Sequence, residues 1–140
     1  MKTRYIIIII VLTGLISSGF FCSSVSQSGK IGDKFYHNLQ KNDYNSIITM
    51  LDEDALKEYS KEEWVDLFIS RNRYFGHLKS YMNTGFHTNT LNGLQITKLN
   101  YEVDNLNGLV YEEIEFVKRG NEYKILTYRF APDLAGLKGD

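Results

Sequence analysis

The spacing of apolar residues changes once along this chain, at Gly76, and this change constrains the fold more than any other feature. Before Gly76, apolar residues recur at helical intervals, as in Ile31, Phe35 and Leu39. After Gly76, apolar and polar residues alternate, which is typical of strands. The order predicts an α+β domain with N-terminal helices packed on an antiparallel sheet.

Local signals predict where the helices begin and end. The first pattern stops before Asp43, which can cap a second short helix. Acidic residues from Asp52 onward open another helical turn. Ser60 and Glu63 have the spacing of a capping box, in which each side chain bonds the other's backbone amide. A longer helix should therefore run from there to Gly76, where glycine favours a helix end.

Four strands should come next, separated by short polar connections. We expect them at residues 78–88, 94–103, 109–118 and 122–131. The connections are Asn92-Gly93, the loop 104–108 and Gly120-Asn121, all with turn chemistry. Each is too short for a crossover helix, so neighbouring strands should be antiparallel.

The residue pairs of the last hairpin can be deduced from the position of its turn. A two-residue turn at Gly120-Asn121 predicts the pairs Arg119–Glu122, Phe116–Ile125, Glu113–Tyr128, Glu112–Arg129 and Tyr111–Phe130. Glu113 would then share a face with Tyr111, Leu126, Tyr128 and Phe130. If this face is the inner one, burial favours the neutral form of Glu113. If it is the outer one, Glu113 is an ordinary solvated residue. The loop 104–108 leaves the register free by one, and one slip exchanges the faces.

The N-terminus has the pattern of an export signal. Lys2 and Arg4 precede an apolar run over 5–16, and small residues follow before Cys22. The apolar run is short for a membrane-spanning helix, which needs roughly 20 residues. We therefore expect a signal peptide at 1–22; the alternative is an uncleaved N-terminal anchor.

Cys22, the single cysteine, stands where the apolar run stops. This arrangement resembles a bacterial lipoprotein signal, in which the cysteine is acylated and becomes the new N-terminus. The resemblance implies a lipid anchor in the bacterial envelope. The alternative is ordinary cleavage after Ser24 or Ser26, which would release a secreted or periplasmic soluble protein. A lone cysteine excludes an intrachain disulfide and a multi-cysteine zinc site.

Length and charge limit the organisation of the chain after the signal. Its 140 residues suffice for one domain, and we expect a flexible tether at 23–30, a domain at 31–132 and a C-terminal tail at 133–140. Without 1–22 the chain keeps 17 acidic residues and loses two of its 16 basic ones, which gives a net charge of −3. We expect no nucleic-acid partner and attachment to the membrane through the lipid alone.

Two segments resemble the ketosteroid isomerase and nuclear transport factor-like superfamily. They are Phe35-Tyr36-x-x-Leu39-x-x-x-Asp43-Tyr44, similar to its opening helix and turn, and Gly120-Asn121-Glu122-Tyr123-Lys124-Ile125, similar to its final hairpin. The resemblance implies a curved sheet wrapped against helices as a cone-like roll with an opening. It also implies dimers formed through the outer sheet face. Many exported members have no assigned function.

No catalytic constellation is visible in the sequence. His37, His77 and His87 lack metal-ligand spacing, and no nucleotide-binding or nucleophile motif occurs, so we predict no metal and no cofactor. Aromatic residues and one carboxylate are candidates to line a cone pocket, or else to fill a small core: Tyr36, Trp64, Phe68, Tyr101, Tyr111, Glu113 and Tyr128.

The sequence supports two hypotheses about function. The first is a non-enzymatic, membrane-tethered domain that binds a protein partner or a small ligand. The second is an isomerase or hydrolase that uses a cone pocket with Glu113 or His87 as the base. A filled core favours the first hypothesis, and an open cavity that contains Glu113 favours the second.

Overall fold

The computed structural model describes residues 26–138. The predicted signal and Cys22 lie outside these residues. In chain order the elements are α1 (26–40), α2 (Tyr44–Ile48), α3 (Glu53–Glu58), α4 (Lys61–Phe75), β1 (Leu78–Leu91), β2 (Leu94–Asn105), β3 (Gly108–Arg119), β4 (Glu122–Ala131) and α5 (Leu134–Lys138). The strands form one antiparallel sheet in the order β1-β2-β3-β4, with helices packed on it. The predicted α+β class is confirmed.

The folded region extends beyond the predicted 31–132 at both ends. Residues 26–30, predicted as tether, are already helical, and Ser28 is fully buried. Packing of α1 against the domain overrides the low helix propensity of serine and glycine there. The predicted tail contains α5, whose Leu137 is buried and whose first turn is capped by Asp133 at the amide of Gly136.

The predicted helix ends are confirmed. Asp43 and Asp52 cap α2 and α3 by accepting backbone amides two or three residues ahead. Ser60 and Glu63 form the capping box of α4, in both directions. Gly76 ends α4 at a φ of +80°, a conformation that side-chain-bearing residues rarely adopt.

The hairpin turns match the prediction at two of three places. Asn92-Gly93 and Gly120-Asn121 are two-residue turns. The connection predicted as a five-residue loop is a two-residue turn as well, because Asn105 pairs with Gly108 and both flanking strands are longer than expected. The register between β2 and β3 is thereby determined.

The register of the last hairpin is predicted correctly only near its turn. The pairs Arg119–Glu122 and Phe116–Ile125 are confirmed, but a bulge at Leu126 shifts the rest by one. Beyond it, the pairs are Glu115–Thr127, Ile114–Tyr128, Glu113–Arg129, Glu112–Phe130 and Tyr111–Ala131. The predicted faces are therefore wrong. Glu112, not Glu113, shares the helix-facing side with Tyr128 and Phe130.

The core between helices and sheet is largely aromatic. Phe35 of α1 lies between Phe68 of α4 and Tyr128 of β4, with ring centroids 5.9 and 5.1 Å away. α1 approaches β2 closely at Gly32, where a Cβ atom would overlap the hydroxyl of Tyr101. Glycine at this position thus permits the helix–sheet distance that closes the core.

We predict that Trp64→Ala lowers the free energy of unfolding by about 3–5 kcal/mol. Trp64 is 5% exposed, packs on Phe68 and donates its indole N–H to the carbonyl of Ala55 at 3.3 Å. Urea denaturation followed by circular dichroism measures the loss. Tyr74→Ala, at a position that is 74% exposed on the same helix, should cost far less. A loss below about 1 kcal/mol for Trp64→Ala would contradict its placement in the core.

Candidate functional site

An ion pair lies at the centre of the fold. The Nε and Nη2 atoms of Arg71 on α4 donate to Oε1 of Glu112 on β3, at 2.9 and 2.6 Å. Neither side chain is exposed to solvent. Desolvation makes such a pair costly unless its remaining polar atoms are also bonded.

Tyr36 supplies the bond to the second oxygen of the carboxylate. Its hydroxyl donates to Oε2 of Glu112 at 3.0 Å, so the pair joins α1, α4 and β3. Arg71 also donates from Nη1 to the side chain of Asn72 at 3.0 Å. The hydroxyl of Tyr128 is buried beside Arg71 and Glu112.

Burial and mutual charge set the ionisation of this cluster. Burial raises the pKa of Glu112, and Arg71 opposes that shift. Burial disfavours the charge on Arg71, but Glu112 and Tyr128 together outweigh this effect and raise the pKa of the guanidinium. Burial and the adjacent Glu112 carboxylate raise the pKa of Tyr36 and Tyr128 well above the ordinary tyrosine value. Both tyrosines therefore stay protonated.

This geometry points to a structural role for Glu112. Both of its oxygens accept hydrogen bonds, and no part of its side chain reaches solvent. A general base must lie within reach of the proton that it abstracts from a substrate. Arg71 and Glu112 were not among the predicted site residues. The available signal was an arginine at the helical spacing of buried Trp64 and Phe68.

Glu113, the carboxylate among the candidate pocket residues, lies on the outer face of the sheet. It forms ion pairs with Arg129 and with Lys98, whose Nζ is 3.1 Å away. Lys98 also contacts Glu115 at 3.1 Å, so charges of both signs form a cross-strand network there. Glu113 therefore does not face the space between helices and sheet.

The predicted pocket residues are divided among three places. Tyr36, Phe68 and Tyr101 are packed in the core with at most 3% exposure. Tyr111 lies on the outer face opposite Glu102, as Glu113 lies opposite Asn100. Only Trp64 and Tyr128 border open space, in a cleft between α4 and β4.

This cleft continues into a groove along β4. A cleft of about 680 Å³ lies between the first half of α4 and residues Leu126 to Arg129. A second cleft of about 370 Å³ lies between the last turns of α4 and Phe130 and Pro132. Both are bordered by Ser70. We call the two together the α4–β4 groove: Glu58, Tyr59, Glu63, Trp64, Asp66, Leu67, Ser70, Arg71, Tyr74, Phe75, Leu126, Thr127, Tyr128, Arg129, Phe130 and Pro132.

The wall of the groove formed by α3 and α4 is acidic. Glu58, Glu63 and Asp66 border it. Glu63 is held by the capping box, but Glu58 and Asp66 form no ion pair with any residue in the range 26–138. Arg129 on the opposite wall is bound to Glu113. The groove therefore combines an aromatic floor with an excess of negative charge.

A different cleft, of about 580 Å³, has the opposite charge. It lies between α1 and the turn of the last hairpin and is bordered by Lys30, Lys34 and Lys124. Lys124 also lies 3.5 Å from Glu122, the one acidic residue at this cleft. These lysines are at the end of the domain where the described chain begins.

The histidines do not form a site. His37 lies on α1, His77 just after α4 and His87 on β1, and none of the three is buried. Within residues 26–138, no group of histidine, cysteine and acidic side chains is arranged to hold a metal ion.

Comparison with models of known protein families gives no match for this chain, and no curated protein matches it significantly. The resemblance to the ketosteroid isomerase and nuclear transport factor-like superfamily therefore stays a prediction. The fold and the groove geometry are the basis for a functional argument.

We predict that Arg71→Met destabilises the domain by about 3–5 kcal/mol, because it leaves the carboxylate of Glu112 buried without its counter-ion. The double variant Arg71→Met/Glu112→Leu should recover most of this loss. Urea denaturation of both variants measures the difference. Lys98→Met, which removes a partly exposed ion pair on the outer face, should cost at most about 1 kcal/mol.

The decrease in the free energy of unfolding caused by Arg71→Met should depend on pH. Without Arg71 the pKa of Glu112 in the folded state rises further above its unfolded value of about 4.3. The folded state then binds a proton that the unfolded state releases, so stability falls as pH increases between these two values. The variant should be closer to wild type at pH 5 than at pH 7. An equal loss at both values would contradict the assignment to Glu112.

Proposed function

We propose that this protein is an exported, membrane-tethered, non-enzymatic domain that binds a positively charged ligand in the α4–β4 groove. The observation that carries the proposal is the groove itself, where aromatic side chains border one open space with Glu58 and Asp66, which form no ion pair within residues 26–138. Ligand sites combine apolar surface with a few polar groups that orient the ligand.

The chemistry of the groove favours an organic cation. Tyr59 and Trp64 lie edge to face with centroids 6.2 Å apart, and Tyr128 lies opposite them. Aromatic faces attract cations, more strongly where water is excluded. Glu58 and Asp66 at the rim supply the complementary charge.

The alternative, an isomerase or hydrolase, needs a base that faces a cavity. Glu113 is ion-paired on the outer face, and His87 is exposed on a strand at the sheet edge. Glu112 faces the helices, but Arg71 and Tyr36 occupy both of its oxygens. The positions of these groups favour binding over catalysis.

The proposal for membrane attachment combines the N-terminal sequence with the lysine cleft. The cleft lies beside α1, the first described element after Cys22 in the sequence. No helix within 26–138 has the length and apolar character to cross a membrane. Lys30, Lys34 and Lys124 give this end a local positive charge that the net charge of the domain does not reveal. Basic residues next to an anchor are attracted to anionic lipid, at about 1 kcal/mol each.

We expect Cys22 to carry the lipid. Cells grown with an alkyne fatty acid should incorporate it into the wild-type protein but not into Cys22→Ser. Fractionation should find the wild type in membranes and the variant in soluble fractions. Equal labelling of both proteins, or a wild type that is entirely soluble, would contradict the anchor.

We expect phenethylammonium, an aromatic cation, to bind the groove and to change the fluorescence of Trp64, the single tryptophan of the chain. Phenylacetate, an anion of similar size, should bind more weakly because the groove wall is acidic. Fluorescence titration of the full chain measures both affinities.

Ser70→Phe tests where this probe binds. Ser70 is exposed and borders both parts of the groove, so a larger side chain obstructs it and should weaken binding at least about fivefold. Ile69→Phe, at an exposed neighbour that does not border the groove, is the matched control. Equal binding of the two ions, or equal effects of the two variants, would contradict a cation site in the groove.

A further inference from the structure

We propose that the ligand of the α4–β4 groove is an extended basic segment of a partner polypeptide, which joins the sheet beside β4 as an additional strand. This inference rests on the proposed function and adds the class of ligand and its mode of binding. It is based on the backbone of β4, on the contrast with the other sheet edge and on the charge of the groove.

Within residues 26–138, the backbone of β4 forms hydrogen bonds outside the sheet only near its beginning, at Ile125. The amide of Ile125 donates to the carbonyl of Met50 at 2.8 Å, and its carbonyl accepts from the amide of Asp52 at 2.7 Å. These bonds form a short parallel bridge at Leu51. After Asp52 the chain turns into α3 and leaves the edge. The bridge therefore shows, over one residue, how an extended segment can pair with the edge of β4.

The alternation of the ladder shows which backbone groups lie beyond this bridge. Hydrogen-bonded and non-hydrogen-bonded pairs alternate along antiparallel strands. Ile125, opposite Phe116, directs its polar groups away from β3. Ile114 and Glu112 lie two and four residues before Phe116 on β3, so their partners must also direct their polar groups away from β3. These partners are Tyr128 and Phe130.

These groups have no other backbone partner in the described structure. Within residues 26–138, no backbone hydrogen bond outside the sheet involves Tyr128 or Phe130. Their amides and carbonyls therefore face the groove between β4 and α4. Unpaired strand edges are templates for the addition of another strand.

The other edge strand, β1, borders none of the three clefts described above. β1 is mostly exposed and carries polar residues such as Lys79 and Asn89, although Met82, Phe86 and Leu91 on it are exposed as well. Its register has two irregularities, near Ser80 and Gly85. Charged residues and irregular register are the usual means by which an exposed edge avoids pairing. β4 has a single irregularity, at Leu126, and beyond it the register runs unbroken past Tyr128 and Phe130 beside the groove.

The length of the groove suits a short extended peptide. From Leu126 to Pro132 the groove runs along seven residues of the chain, or roughly 20 Å at about 3.3 Å per residue. On the opposite wall, Leu67, Ser70 and Tyr74 form a stripe at helical spacing. The partner segment would pair with β4 on one side and contact this stripe on the other.

The charge of the groove indicates the sequence of the partner segment. Side chains of a strand alternate between two faces, so one set would reach the aromatic floor at Trp64 and the other the acidic rim at Glu58 and Asp66. We infer a segment that alternates apolar and basic residues. A second copy of this chain is a poorer occupant, because its own β4 is bordered by the same acidic wall.

The test uses the full chain and a blocked octapeptide of alternating lysine and valine. Binding should slow hydrogen exchange of the Tyr128 and Phe130 amides at least about tenfold, because both become hydrogen-bonded. The same peptide with alternate backbone nitrogens methylated keeps its charges and side chains but cannot complete the ladder. It should bind at least about tenfold more weakly.

Two further comparisons test the role of charge and the location of the peptide in the groove. A glutamate–valine octapeptide should not bind, and Glu58→Gln/Asp66→Asn should weaken the lysine–valine peptide about three- to tenfold. Glu62→Gln/Asp104→Asn, at exposed acidic positions outside the groove, is the matched control. Ser70→Phe should reduce binding while Ile69→Phe does not.

Three outcomes would overturn strand addition: no binding of the lysine–valine peptide at millimolar concentration, equal binding of its methylated form, or unchanged exchange at Tyr128 and Phe130. If phenethylammonium still bound in the groove, the proposed function would stand and only the mode of binding would be wrong. If the small cation also failed to bind, both proposals would be wrong.

Discussion

The buried ion pair between Arg71 and Glu112 is the interaction on which the arrangement of the domain depends. It joins the long helix α4 to the central strand β3, and Tyr36 joins α1 to the same carboxylate. A carboxylate so deeply buried is stable only with these partners in place. The pair therefore restricts how α4 lies across the sheet, and so the geometry of the groove between α4 and β4. It also makes the most buried carboxylate unavailable to a substrate.

The helices, strands and turns could be predicted because their signals are local. Capping residues, the glycine after α4 and two-residue turns act over a few positions, and the structure confirms them. The bulge at Leu126 could not be predicted in this way. Ile125 and Tyr128 both face the core although they are three residues apart, which regular alternation forbids. The extra residue is required by packing of both side chains in the core and by the bridge at Leu51, and neither of these is a local signal.

This single residue explains why the predicted pairing gave Glu113, and not Glu112, the same face as Tyr128. A shift of one position exchanges the faces of a strand, so the predicted pairing grouped Glu113, rather than Glu112, with Tyr128 and Phe130. Arg71 could have corrected it, since a buried arginine on α4 needs an acidic partner across the core. The groove was beyond sequence analysis for a different reason: it lies between two elements whose separation depends on packing of the whole core.

The floor of the groove belongs to the same aromatic cluster that stabilises the fold. Trp64 and Tyr128 border the groove, and Phe68 packs against both, with centroids 5.9 and 5.7 Å away. A floor held by core packing loses little conformational freedom when a ligand binds, and this favours affinity. It also couples binding to folding, because a ligand that binds only the folded state stabilises it. The backbone edge of β4 thus belongs to a strand whose side chains pack in the core, whereas an edge on a mobile hairpin would have to be ordered first.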